Sequence, residues 1–147
     1  MIKQGFGLKG YVILYQNGEK IYEGENLVVE NGRAEVAKAI AGESTDMPIA
    51  MALGSDSSSV SSTDSSLGDE FYRDGIDDIS RSDTTVTFDH TFSPGEGTGT
   101  VAEIGLFSSE DDESGTMFAR ITPVERNKQA NDELTVVWSI QVEAEES

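Results

Sequence analysis

Few residues in this sequence have the type and spacing that chemistry requires. The chain contains one histidine and no cysteine, which excludes thiolate catalysis, disulfides and cysteine-ligated metals. His90 lies between Phe88 and Phe92 on the apolar side of an alternating segment, which favours a core or interface residue over a catalytic base. Serine is abundant, but no G-x-S-x-G motif is present. We therefore expect no catalytic residues and no enzymatic activity.

Two glycine-rich segments could be mistaken for phosphate-binding loops. Residues 5–10 (GFGLKG) match G-x-G-x-x-G, but this motif binds dinucleotides only between a strand and the start of a helix, and here an apolar strand follows. Residues 95–99 (GEGTG) would bring a glutamate to the phosphate, with no helix behind it. Neither segment predicts a cofactor.

The strongest compositional signal is acidity. The 147 residues include 28 Asp and Glu against 10 Lys and Arg, for a net charge of −18, which disfavours nucleic acid and anionic membranes as partners. The longest apolar run, residues 11–15, is too short to span a membrane. Because acids occur throughout the chain rather than in tails alone, we expect adaptation to high salt, where such repulsion is screened. Residues 74–78 (DGIDD) lack the ligand spacing of an EF-hand, so we expect no specific metal site.

Two pairs of opposite charges are expected to be structural. Residues 100–107 and 116–122 form a predicted hairpin around an acidic loop at 108–115, and symmetric closure places Glu103 opposite Arg120. The same register places Gly105 opposite Phe118 and leaves the other hairpin face apolar. The sequence leaves open whether this ion pair is buried or exposed.

A second ion pair is expected within one short segment. Glu70 and Arg73 are three residues apart and can pair locally. Charged residues elsewhere form no basic patch, and the many carboxylates single out no pair for glycoside hydrolysis.

A hairpin is predicted over residues 9–25, with its turn at Asn17 and Gly18. A two-residue turn places Leu14 opposite Ile21, so that both faces of the hairpin are apolar. A sheet with one solvated face should not be apolar on both sides. Either the hairpin is central in the domain, or its tyrosine-rich face is a subunit interface, formed by Tyr11, Ile13, Tyr15 and Tyr22.

The remaining pattern indicates further strands and one helix. A short helix is predicted between an N-cap at Asn31 and a C′ glycine at Gly42. The Ser/Asp-rich loop at 55–66 is predicted to be mobile unless a partner orders it. Alternation along residues 84–92, 100–107 and 134–143 predicts buried strands, with a core that includes Val86, Phe88, Phe92, Ile104, Leu106, Leu134, Val136, Trp138 and Ile140.

These elements predict one domain over residues 1–147. The expected fold is mainly β, an antiparallel β-sandwich of jelly-roll-like type with one short α-helix. Residues 1–8 are expected to be an N-terminal arm, and residues 143–147 an acidic tail.

The order of several short motifs resembles a family of viral proteins. The motifs are NLVV at 26–29, NGR at 31–33, AMALG at 50–54, LGDEFYR at 67–73, EIGLF at 103–107, GTMFAR at 115–120 and LTVVW at 134–138. This order is similar to small structural proteins of tailed bacteriophages and archaeal tailed viruses, which are tail-fibre, baseplate or head-surface components. The resemblance covers residues 26–140. The acidity and the longer Ser-rich loop at 55–66 depart from the usual pattern.

The resemblance implies a β-sandwich building block that performs no chemistry and needs no cofactor. We expect a virion protein of a salt-loving host's virus, made in the host cytoplasm, whose partners are copies of itself and other virion proteins such as capsid or tail proteins. The first expectation is a symmetric oligomer on the capsid surface, as a decoration or turret. The alternative is a tail, baseplate or fibre-attachment component. A carbohydrate- or cell-surface-binding module is a third reading, which requires exposed aromatics beside carboxylates.

Overall fold

The computed structural model describes residues 4–146, except for the side chains of residues 4–6, 27 and 144–146. Eleven strands and one helix are found in this range. They are β1 (Gln4–Gln16), β2 (Glu19–Val28), α1 (Glu30–Ile40), β3 (Ala50–Gly54), β4 (Glu70–Gly75), β5 (Asp78–Ser82), β6 (Thr85–Phe92), β7 (Gly99–Val101), β8 (Glu103–Phe107), β9 (Met117–Ile121), β10 (Arg126–Lys128) and β11 (Leu134–Glu146). The predicted mainly-β class with one short helix is confirmed.

Nine strands form two antiparallel layers that share one strand. The first sheet has the order β2-β1-β11-β6-β5, and the second has the order β4-β3-β8-β9-β2. The shared strand β2 pairs with β1 along Glu19–Asn26 and with β9 at Leu27 and Val28. Strands β7 and β10 form a separate two-stranded ribbon. The chain is therefore an antiparallel β-sandwich, as predicted.

The main core lies between the two sheets. Side chains from both layers form a single buried cluster, with Val12, Leu14 and Trp138 from the first sheet and Leu53 and Ile104 from the second. The predicted core residues lie in this cluster, except that Val86 is only partly buried at its edge. The Trp138 indole N–H donates to Asn26 Oδ1 at 2.9 Å, so the buried indole keeps a hydrogen-bond partner.

A smaller core lies on the other side of the second sheet. It contains Val29, Ala52, Leu67, Phe107 and Met117. The loops at 55–69 and 108–115 cover this side, whereas Val36 of the helix α1 packs against the main core, so both faces of the second sheet are buried. This explains why β3, β8 and β9 are buried at every residue.

The helix α1 begins two residues earlier than predicted. Its N-cap is Val29, which makes no side-chain cap hydrogen bond, and Asn31 lies inside the first turn. Tertiary contacts replace the cap, because the Val29 N–H donates to the Phe118 carbonyl and the Glu30 N–H donates to the Ser62 carbonyl. The prediction at the other end is confirmed. Gly42 has φ 75° and follows the C-cap residue.

The terminal segments differ from the predicted arm and tail. From Gln4 onward the predicted arm belongs to β1, and residues 1–3 lie outside the described residues. The predicted acidic tail continues β11 as far as Glu146, and residue 147 lies outside the described residues. Backbone pairing from Gln4↔Glu146 to Gly7↔Glu143 joins the two segments, which explains why neither is a free extension.

Candidate interaction surfaces

The clearest polar constellation is a buried ion pair beneath the Ser/Asp-rich loop. Glu103 on β8 is fully buried, and its Oε1 accepts from Arg120 Nε at 2.8 Å. The Glu103 carboxylate also accepts backbone N–H bonds from Asp56, Gly68 and Asp69 at 3.1, 2.9 and 2.8 Å. One carboxylate thus satisfies donors at both ends of the loop, and the predicted pair is present in its buried form.

The Arg120 guanidinium holds the middle of the same loop. It donates to the Ser58 carbonyl at 3.3 Å and to Asp64 Oδ2 at 3.2 Å. Hydrogen bonds from Ser58 hold the pKa of Asp56 below its usual range, and the Arg120 charge adds to this effect. The sequence predicts that the loop at 55–66 is mobile unless a partner orders it, and here the contacts that hold the loop come from within the chain. The loop's partners are a buried glutamate and arginine of the same chain.

The hairpin register differs from symmetric closure. Arg120 lies opposite Gly105 rather than Glu103, and reaches Glu103 diagonally. The shift is two residues: Phe107 already pairs with Met117 rather than Thr116 next to the loop, and a bulge at Phe118 adds the second residue, since Leu106 pairs with Ala119. The bulge allows Phe118 and Ala119, which are consecutive, to join the same core cluster.

Phe118 therefore does not lie over Gly105, as the predicted register required. The ring of Phe107 and the side chain of Leu67 cover Gly105 instead. A Cβ atom built on Gly105 would lie 2.8 Å from the Phe107 ring, so this glycine is required for close packing.

The second predicted ion pair anchors the acidic loop. Arg73 makes a two-pronged contact with Glu70, at 3.0 and 2.7 Å. Its remaining nitrogen donates to the carbonyls of Ser109 and Ser114 at 2.9 and 2.6 Å. The guanidinium carbon also lies 3.9 Å from the centre of the Phe107 ring. The acidic loop at 108–115 is thus held to β4 by a buried cation.

A strip of large side chains lies on the outer face of the first sheet. Tyr11, Ile13 and Tyr15 on β1 point away from the core, and Ile13 pairs with Val137 on β11. Tyr11 is 38% exposed, and its hydroxyl donates to Glu23 on β2. We call Tyr11, Ile13, Tyr15 and Val137 the tyrosine strip.

Tyr22 is not part of the tyrosine strip. A bulge between Leu14 and Tyr15 leaves Ile21 without a direct partner and places Tyr22 opposite Leu14. Both Ile21 and Tyr22 then pack against the main core. The predicted pairing of Leu14 with Ile21 is wrong, and the candidate interface is reduced to Tyr11, Ile13 and Tyr15.

The rest of the outer face is rich in hydroxyl groups and acids. Thr91 and Thr135 oxygens lie 2.9 Å apart across β6 and β11. Asp89 on β6 pairs directly with Asp78 on β5. Burial and the neighbouring Asp78 charge raise the pKa of Asp89 above its usual value. This polar surface surrounds the tyrosine strip on the β6 side.

His90 is buried on the core side of β6, as predicted from its pattern. Its ring packs edge-on against Phe92 at 4.5 Å. Nε2 lies 3.2 Å from Asp74 and Nδ1 lies 3.3 Å from Asp77, although neither contact has hydrogen-bond geometry. Because the two carboxylates face different ring nitrogens, the three groups do not converge on one point, as metal ligands must.

The remaining motifs assemble no chemical site. Residues 5–10 lie within β1, so the G-x-G-x-x-G match is followed by strand rather than helix. Among residues 4–146 no group of three or more His, Asp or Glu side chains is arranged to hold a metal ion. No helix of the described chain has the length and apolarity needed to cross a bilayer.

Comparisons with known proteins give no relative. No family model, curated protein or solved structure matches this chain. The resemblance to tailed-virus proteins therefore stays a prediction made from the order of motifs.

Proposed function

We propose that this chain is a non-enzymatic structural protein of a tailed virus that infects a salt-loving host. In this proposal it forms a symmetric homo-oligomer on the capsid surface. The single observation that carries the proposal is the tyrosine strip, an apolar band on a sheet face that is otherwise polar, with hydroxyl groups, acids and the ion-paired Lys9 and Lys20 around it. Tyrosine-rich apolar bands with polar surroundings are typical of protein–protein interfaces.

The hydrogen bonding of Tyr11 supports burial of the strip. Its hydroxyl already donates to Glu23 of the same chain. A second copy could therefore cover the ring without leaving a buried donor unpaired. Ile13 and Val137 present no polar side-chain atoms, so their burial between copies is favourable.

The loops support assembly through the sheet rather than through themselves. The loops at 55–66 and 108–115 have their charged anchors, Arg120 and Arg73, inside the same chain. They need no partner for order, so we assign assembly to the tyrosine strip rather than to the loops.

The charge sets the conditions for assembly. Copies with a net charge of −18 repel each other at low ionic strength. In molar salt the Debye length falls to about 3 Å, and repulsion between neighbouring copies is then largely screened. We expect the oligomer to form in multimolar salt and to dissociate on dilution into low salt.

The test is the mass of the particle in solution. Sedimentation in multimolar salt at micromolar concentration should give an oligomer for the natural chain. Tyr11→Ser with Ile13→Ser should weaken the association at least tenfold, whereas Thr85→Ser, on the same face, should not. A natural chain that stays monomeric under these conditions would refute the proposal. The position of the subunit's density in an intact virion distinguishes a location on the capsid surface from one in the tail.

A further inference from the structure

An apolar cleft opens between the two sheets at the end where α1 crosses. Its volume is about 350 Å³, within the range of roughly 300–1,000 Å³ typical of ligand sites. Every lining residue is apolar, and they come from seven parts of the chain. The walls include Leu8, Val36, Phe118 and Ile140, and the rim includes Ile79 and Val142, which are 46% and 42% exposed.

A second cleft of about 210 Å³ shares two of these walls. It lies between α1 and the start of β1 and also contacts Leu8 and Val36. Its helical side is the stripe Arg33, Val36, Ala37 and Ile40, at the spacing of one helix face. Ile40 is 72% exposed, so this apolar stripe is left largely uncovered.

The lining determines the chemistry of an occupant. A sugar, nucleotide or peptide backbone in the larger cleft would lose its hydration without gaining a hydrogen bond. An apolar cavity of about 150 Å³ is already large enough to bind benzene. The larger cleft therefore fits a hydrocarbon chain and excludes polar ligands.

Among the described residues that line the two clefts, Arg33 carries the only charge. Its Nη1 donates to the Val28 carbonyl at 3.1 Å, and none of the described carboxylates lies within ion-pairing distance of it. In a chain with 28 acidic residues, an arginine that no described carboxylate neutralises, at the end of an apolar cleft, is complementary to an anionic group.

We propose that the two clefts bind a single-chain anionic amphiphile, with the hydrocarbon chain in the larger cleft and the carboxylate head beside Arg33. The net charge of the protein opposes an anion at low ionic strength. In molar salt only the adjacent cation acts on the head group, because distant charges are screened. Added salt should therefore increase the affinity for a carboxylate more than the affinity for a neutral alcohol of equal chain length.

The test uses decanoate and decanol, which compete with the neutral fluorescent probe N-phenyl-1-naphthylamine. The natural chain should bind the probe and release it to either competitor. Arg33→Gln should weaken the binding of decanoate at least fivefold and leave the binding of decanol unchanged. Arg126 is an exposed arginine outside both clefts, so Arg126→Gln should change the binding of neither competitor. Val36→Trp should abolish binding of all three. Ile79→Trp gives a second filling variant at the exposed rim, where folding is not at risk.

Several results would overturn the proposal. Failure of the natural chain to bind the probe or decanoate would do so, as would an equal effect of Arg33→Gln on decanoate and decanol. If the fraction of protein that binds the probe falls as the protein concentration rises, self-association fills the cleft, and the occupant is a second copy instead. Binding that begins only after removal of residues 1–3 would assign it to the start of the chain.

Discussion

Replacement of Arg120 by alanine should destabilise the fold more than any exposed charge replacement. Glu103 is fully buried, and among the described basic side chains Arg120 alone pairs with it. Without Arg120 the carboxylate keeps three backbone donors but loses its counter-charge. Breaking a buried pair in this way costs about 3–5 kcal/mol, a large part of a total stability of about 5–15 kcal/mol.

The same replacement should free the loop at 55–66. The Ser58 carbonyl and the Asp64 carboxylate lose their shared donor. We expect faster cleavage of this loop by an aspartate-specific protease, together with the loss of stability. Arg120→Lys should recover only part of the stability, because an ammonium group cannot donate in several fixed directions at once.

Denaturant unfolding at constant high salt measures the effect. The matched control is Lys20→Ala, which removes an exposed ion pair with Glu23 and should shift the midpoint far less. A double-mutant cycle with Glu103→Gln isolates the pairwise energy. A loss below about 1 kcal/mol for Arg120→Ala would show that the pair behaves as an exposed one, and the reasoning from burial would be wrong.

Three further substitutions test other parts of the structure. Asp89→Asn should stabilise the fold by under about 1 kcal/mol, since it removes a like-charge pair with Asp78. Because the pKa of Asp89 is raised in the folded state, the ionised carboxylate destabilises the wild-type fold, and this penalty disappears when the carboxyl is protonated. The stabilisation by Asp89→Asn should therefore be present at neutral pH and vanish in acid, which denaturant midpoints at two pH values can show. Lys128→Met should also raise the thermal midpoint at pH 7, because burial disfavours the charged ammonium group and lowers the pKa of Lys128. The wild-type fold gains stability as Lys128 loses its proton, so the difference in thermal midpoint between variant and wild type should narrow as the pH approaches 10. Gly32→Ala should destabilise the fold by about 1–3 kcal/mol in chemical unfolding, because the new Cβ would lie 2.3 Å from the Phe118 carbonyl.

Alternation and the turn at Asn17 and Gly18 predicted β1, β2, β6, β8, β9, β11 and most of the core. They predicted none of β4, β5 and β10, and they missed the registers at two bulges. In β2 the consecutive residues Ile21 and Tyr22 both pack against the core, and in β9 Phe118 and Ala119 do the same. A flat alternating pattern assigns one member of each pair to the outside. Each bulge shifts the remaining pairs, which explains the incorrect placement of Tyr22.

The two ion pairs could be proposed from sequence, but their environments could not. The spacing of Glu70 and Arg73 and the hairpin around the acidic loop indicate the partners. Burial depends on the loops at 55–69 and 108–115, whose Ser- and Asp-rich sequences carry no periodicity. The signal that could have placed them is the presence of Glu103 and Arg120 within strands that are otherwise apolar or glycine.

The scarcity of basic residues gives their positions a physical meaning. Both buried arginines, Arg73 and Arg120, neutralise a buried glutamate and bind loop carbonyls at the same time. Each cation thus satisfies a buried charge and orders a loop, and few bases remain for the surface. The surface is therefore acidic, and assembly depends on apolar contacts and screening rather than on ion pairs between copies.

The two uncovered apolar surfaces should act independently. The tyrosine strip lies on the outer face of the first sheet, whereas the cleft lined by Val36 opens on its inner side. Changes at separate sites with no shared partners usually add. Tyr11→Ser should therefore weaken association without changing probe binding, and Val36→Trp should block the probe without changing the sedimentation of the oligomer. If either variant alters both properties, one surface cannot be assigned to assembly and the other to a ligand.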